Sequence, residues 1–177
     1  MKDSCRSLAN RFGDLKHFLI AFNPDKQFEL THNKDKCYFG DYPTLAKLNQ
    51  EYCYNASILW LNVQIYNISE FCGCKDKISQ DQILECSRVI TATFPFLKVS
   101  EIMLFFFQFK AGKYGRFYGS VDPLVITTSL RDFLRERNNA YFERECEQNR
   151  IDANNMSKNA ISYDEWQKMK KEMEQKK

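Results

Sequence analysis

Apolar residues recur along this chain at steps of three and four, the mark of one buried face on a helix. Leu8, Phe12, Leu15, Phe18 or Leu19, and Phe22 predict a first helix over roughly 5–22. Asn23-Pro24-Asp25 ends it, because the residue before a proline avoids helical backbone angles. Residues 25–43 are mixed, with 27–31 and 36–39 readable as short strands or as loop. A short helix follows Thr44, carrying Leu45 and Leu48. The clearest stripe is Ile58, Leu61, Ile65, Ile68 and Cys72; Leu59, Trp60, Val63 and Tyr66 widen it, so much of a helix over 57–71 is expected to be buried. Gly73 is placed to cap its C-terminus.

Ser79 with Gln82 three residues on is a capping box, opening a helix over 79–94 that Pro95 stops. Residues 99–110 are apolar almost all round, from Ile102 through Phe109, and predict a central helix. Asp122-Pro123 starts the next, since Pro is tolerated in a helix's first turn. Its inner stripe is Ile126, Leu130, Phe133 or Leu134, Arg137 and Tyr141, and it is expected to fray near Arg150. Residues 151–161 read as a polar, asparagine-rich linker, and 162–177 as a short terminal helix opened by Ser162 and Glu165. These readings give an all-α protein: an irregular bundle of five or six helices over 1–150, a linker and a short helical tail.

The chain has 177 residues, enough for one domain with a real core. A net charge of +3 gives no global attraction to nucleic acid, so any electrostatic footprint must be local. The N-terminal residues carry charge where a signal peptide needs an apolar run, and no segment approaches a membrane span, so a cytoplasmic location is expected. Seven scattered cysteines, an odd number, fit reduced thiols. Cys72-Gly73-Cys74 lacks the second ligand pair of a structural zinc site, even with His32 and Cys37 in view. No metal and no cofactor is expected. No nucleophile–base set or paired carboxylates stand out, so an enzyme is not expected either; His17 lies beside the first apolar stripe and suits a surface or capping role.

The segment with the most distinctive chemistry lies between the central helix and Asp122. Gly112, Gly115 and Gly119, three of six glycines, fall within eight residues. Tyr114, Phe117 and Tyr118 alternate with Lys110, Lys113 and Arg116. It is not a phosphate-binding P-loop, because Phe107 and Tyr114 stand where that motif needs glycine and Ser or Thr. Two readings remain: a structural connector whose glycines allow positive φ and whose rings enter the core, or a nucleic-acid contact in which cations meet phosphates and tyrosines stack on bases. Six basic and three acidic residues between 108 and 137 leave a local net of +3. Arg131 and Arg135, one turn apart on the next helix, are either a solvated face or an extension of the same surface. Tyr163, Trp166 and Met169 could anchor the terminal helix on a partner protein.

From Tyr42 to Arg137, and above all in KAGKYGRFYGSVDP, the chain resembles an uncharacterised family associated with gut Bacteroidetes genomes and their phages and mobile elements. More loosely it is similar to phage replication accessory proteins of the helicase-loader kind, which join a helical domain to a polar tail. The resemblance assigns no catalytic residue. It implies a non-enzymatic accessory role in phage or mobile-element DNA metabolism, with DNA or a replication protein such as a helicase as partner. On that expectation Lys110, Lys113, Tyr114, Arg116, Tyr118, Arg131 and Arg135 form the contact surface. The alternative is a protein–protein interaction module without nucleic-acid affinity.

Overall fold

The computed structural model describes residues 7–115, 117, 119–158, 166–168 and 173. Nine α-helices and one 3₁₀ turn occur among them, with no strand, so the all-α expectation holds. The chain divides into two units, 1–136 and 137–177.

The first unit is built around α8 (Val99–Lys110), in which all but Phe107 and Lys110 are buried. A helix covered on every side must be apolar on every side, as its run of Phe, Ile, Met and Leu provides. Three elements cover it: α3 (Gln27–Thr31), α4 (Lys34–Phe39) and α6 (Ala56–Cys72), and α6 in turn packs on α7 (Gln80–Thr93) and α5 (Leu45–Glu51). Phe105 sits at the aromatic centre, its ring 5.1 Å from Phe106, 5.8 Å from Phe109 and 5.8 Å from Phe133 of α9 (Pro123–Lys158).

The local signals account for most boundaries. Ser79 accepts from the Gln82 amide, and Gln82 Oε1 accepts from the Ser79 amide, completing the capping box of α7. Thr44 accepts from the Lys47 amide to start α5. Gly73 takes φ 62°, ψ 19°, a left-handed cap that ends α6. Leu45 and Val99 donate to the carbonyls of Leu97 and Pro43, which ties the entries of α5 and α8 together.

Four expectations need correction. The first helix is two, α1 (Leu8–Phe12) and α2 (Leu15–Ala21), because Gly13 at φ 79° breaks the chain and Asp14 recaps it by accepting from the His17 amide. Residues 27–31 and 36–39 are helical, within α3 and α4; Asn33 caps α4 by accepting from the Lys36 amide. The outer side of α6 is open: Leu59, Val63 and Tyr66 are exposed while Trp60, Leu61, Ile65 and Ile68 are buried. Finally, α9 passes through the expected fraying point and on to Lys158, taking up 151–158 of the expected linker. No glycine or proline interrupts residues 124–158, and side-chain pairs such as Arg150–Glu147 at 2.9 Å support the later turns.

In the second unit the residues from Phe142 to Ser157 are exposed. The Arg137 guanidinium lies 4.3 Å from the Tyr141 ring centre, and Gln148 donates to Asp152 at 3.0 Å. No helix of the described residues is long and apolar enough to cross a membrane.

Candidate functional site

The glycine-rich segment leaves α8 through Ala111, which donates to the Phe107 carbonyl, and Lys113, which donates to that of Gln108. Gly112, Gly115 and Gly119 have φ of 81°, 104° and 78°, so all three use the freedom that only glycine has cheaply. The exit is pinned: the Asp76 amide donates to the Gly119 carbonyl and the Val121 amide donates to the Asp76 carbonyl, at 3.4 Å each.

Between these ends the rings turn inward. Tyr114 lies 5.4 Å from Phe105 and 6.2 Å from Phe109, and its hydroxyl donates to Gln108 Oε1 at 2.5 Å. Burial, reinforced by the charges of Glu136, Tyr38 and Asp132, raises its phenol far above the ordinary value. Phe117 stacks on Phe109 at 5.3 Å and 24° and is half-buried. Both rings fulfil the connector reading.

Two of the cations are occupied as well. Lys113 pairs with Glu136 and lies 5.5 Å from the Tyr114 ring. Arg135 pairs with Asp132 at 3.1 Å on the exposed face of α9. Arg131 is exposed and makes no ion pair among the described residues. Arg116, Tyr118, Tyr163 and Met169 lie outside the described residues; Trp166, in the helical stretch 166–168, is 49% exposed. The structure therefore brings Lys110, Lys113 and Tyr114 together at the end of α8 but does not present them as a row of free cations and open rings.

Lys110 is the exception that the sequence could not have shown. Its ammonium is half-buried and donates to Gln27 Oε1 at 2.8 Å and to Asn67 Oδ1. Behind it runs a buried polar chain: Gln27 Nε2 donates to Gln64 Oε1 at 2.7 Å, Gln64 Nε2 to the Phe22 carbonyl at 2.9 Å, and Trp60 Nε1 to that same carbonyl at 2.8 Å. Desolvation lowers the Lys110 pKa, opposed by the charges of Asp25 and Cys72. Lys110 also lines a cleft of about 410 Å³ between the end of α6 and the turn.

Two further grooves flank α7. One, of about 470 Å³, is lined by Val63 and Tyr66 of α6 and by Asp81, Ile83 and Leu84. The other, of about 310 Å³, has Glu85, Cys86 and Val89 on one wall and Pro123, Leu124 and Thr127 on the other. Leu59, Val63, Tyr66, Val89 and Leu124 are all more than 40% exposed; residue spacing had assigned the first three to the buried stripe of α6.

Among the described residues no group of three or more His, Cys, Asp or Glu could hold a metal ion. Cys37 and Cys86 are buried thiols, raised by desolvation to about 11 and about 12, and are packing groups rather than nucleophiles.

Fold and site together define an all-α protein with apolar grooves on one helix pair and a lysine-edged cleft at the end of another. Residues 77–177 match a family of unknown function, DUF6633, and the chain belongs to that family. No curated protein and no solved structure matches it.

Proposed function

We propose that this chain is a non-enzymatic accessory protein that works by binding another protein along the grooves beside α7. The observation that carries this reading is the exposed series Leu59, Val63 and Tyr66, at i, i+4 and i+7 on α6, the last two sharing a groove with Leu84 of α7. Contiguous exposed apolar ground of this kind marks interaction surfaces, and its spacing suits an amphipathic helix laid into a groove. Asp81 lines both grooves, so basic flanks on the incoming helix fit best. The resemblance of residues 42–137 to phage and mobile-element proteins makes a replication protein, such as a helicase, the class of partner.

Direct contact with DNA through residues 110–119 is the second reading. It is favoured by Arg131, exposed and without an ion pair among the described residues, but Lys113 and Arg135 would have to give up Glu136 and Asp132.

Photo-crosslinking residues placed at Val63 and at Arg131, in cells carrying the cognate mobile element, separate the two. Adducts with one replication protein from Val63, lost on Tyr66→Asp with the fold intact, support the protein-binding reading. Adducts from Arg131 alone, together with steeply salt-dependent DNA binding, overturn it.

A further inference from the structure

The cleft beside Lys110 is separate from the grooves along α7. Its walls are partly aromatic: Phe71 at the end of α6 is 59% exposed, and the stacked pair Phe109 and Phe117 also lines the cleft. Gly112 and Gly115 form part of the rim, and among the described residues nothing lies within 4 Å of where a Cβ on either would stand. The turn's backbone carries no side chain at these two positions, which lets a ligand approach it closely.

Lys110 sets the chemistry. An ammonium has three protons to donate, and Gln27 and Asn67 take two. Both acceptors are neutral amides. No carboxylate lies within ion-pair distance among the described residues; Asp25 acts on the charge only from farther away. The Phe71 ring, 5.7 Å from the nitrogen, adds a cation–π contact. A half-buried charge held without a counter-ion is costly, and the lowered pKa, caused first by burial, is consistent with that cost. An anion in the cleft would relieve it, while the flat walls suit a planar ring.

We propose that this cleft binds an aromatic anion of the kind a nucleotide presents, its heterocycle lying against Phe71 and Phe117 and its phosphate meeting the free proton of Lys110. The volume of about 410 Å³ accommodates one such unit. The same chemistry is offered by a free mononucleotide and by the terminal nucleotide of a single strand.

The test is calorimetric titration of the full chain with dAMP, deoxyadenosine, inorganic phosphate and a short 5′-phosphorylated oligodeoxyadenylate. The expected result is dAMP binding about ten-fold or more tighter than deoxyadenosine or phosphate alone, a gap of about 1.4 kcal/mol. Lys110→Met should erase that gap, and Phe71→Ala should weaken both adenine ligands, while Arg88→Gln on α7 changes neither. An oligonucleotide that outcompetes dAMP identifies a strand end as the source; equal or weaker binding identifies the free nucleotide. The proposal is overturned if deoxyadenosine binds as well as dAMP, if Lys110→Met keeps the preference, or if no probe binds at millimolar concentration. Should Lys110→Met fail to fold, protection of Cys72 and Cys74 from iodoacetamide by dAMP in the wild type decides the matter: both line the cleft, and unchanged alkylation rates overturn the proposal.

Discussion

Replacing Gln64 with leucine tests whether the polar chain behind Lys110 holds the core together or merely crosses it. Gln64 is fully buried and Gln27 is 2% exposed, so neither can turn to water when its partner goes. Gln64→Leu strands the Gln27 Nε2 donor and removes one of two donors from the Phe22 carbonyl, which Trp60 still serves. A buried donor left unsatisfied costs about 1–3 kcal/mol, so a loss of about 2 kcal/mol is expected. With a urea dependence of about 1–3 kcal/mol per molar, the midpoint should fall by roughly 1 M.

A double-mutant cycle sharpens the test. Gln27→Leu alone strands Gln64 Oε1 and takes one of the two acceptors from Lys110. The double variant removes both amides, so neither is stranded, and what stays lost is the Lys110 contact and the Gln64 bond to the Phe22 carbonyl, which Trp60 still serves. The pair should therefore cost about 1–2 kcal/mol less than the sum of the singles. Urea unfolding followed by Trp60 fluorescence, in a Trp166→Phe background so that the buried indole alone reports, gives all four stabilities. Additivity within about 0.5 kcal/mol would refute the network, as would a Gln64→Leu protein as stable as its parent.

Ser79→Ala should cost about 1 kcal/mol by removing the hydroxyl half of the α7 capping box, read from the same urea midpoints; Ser79→Asp, which can still cap, should recover most of it. Stability should also decline above pH 9. Cys37 and Cys86 rise from an ordinary value of 9.0 to about 11 and about 12 because burial disfavours the thiolate, so the native state holds their protons more tightly than the unfolded chain. Their contribution is complete below 9 and is lost as pH climbs towards the folded values, at up to about 1.4 kcal/mol per pH unit for each thiol. Urea midpoints measured across that range should fall, and fall less steeply in Cys86→Ala; a flat profile would show that these thiols do not titrate against the fold.

The elements legible in the sequence were those with a chemical start or stop. Ser79 and Gln82, Thr44, Gly73 and Pro123 each act within a few residues, so local reading finds them. The break at Gly13 was hidden because Leu8, Phe12, Leu15 and Phe18 keep helical spacing across it; only the Gly-Asp pair, a left-handed residue followed by a cap, betrays two helices. Helices of five and six residues, such as α3 and α4, are shorter than the window over which periodicity becomes visible. The continuation of α9 was obscured by asparagine-rich composition, though the absence of any breaker after Pro123 was the better guide.

The exposure of a surface is a tertiary property, and here the site departed furthest from expectation. Charge counting over 108–137 found three more bases than acids, and that count is correct. It could not show that Lys113 reaches across 23 residues to Glu136, or that Asp132 takes up Arg135. Nor could it single out Lys110, whose acceptors come from Gln27 and Asn67, 83 and 43 residues away. The same limit explains α6: a stripe too wide for one helix to bury reads as core, and only the packing of α5, α7 and α8 reveals that Leu59, Val63 and Tyr66 are left over. Among the described residues, an apolar face without a cover and a cation without a counter-ion are thus both remainders of packing. They are where a partner or ligand would gain most, because each still carries a desolvation or exposure cost that the fold alone does not remove.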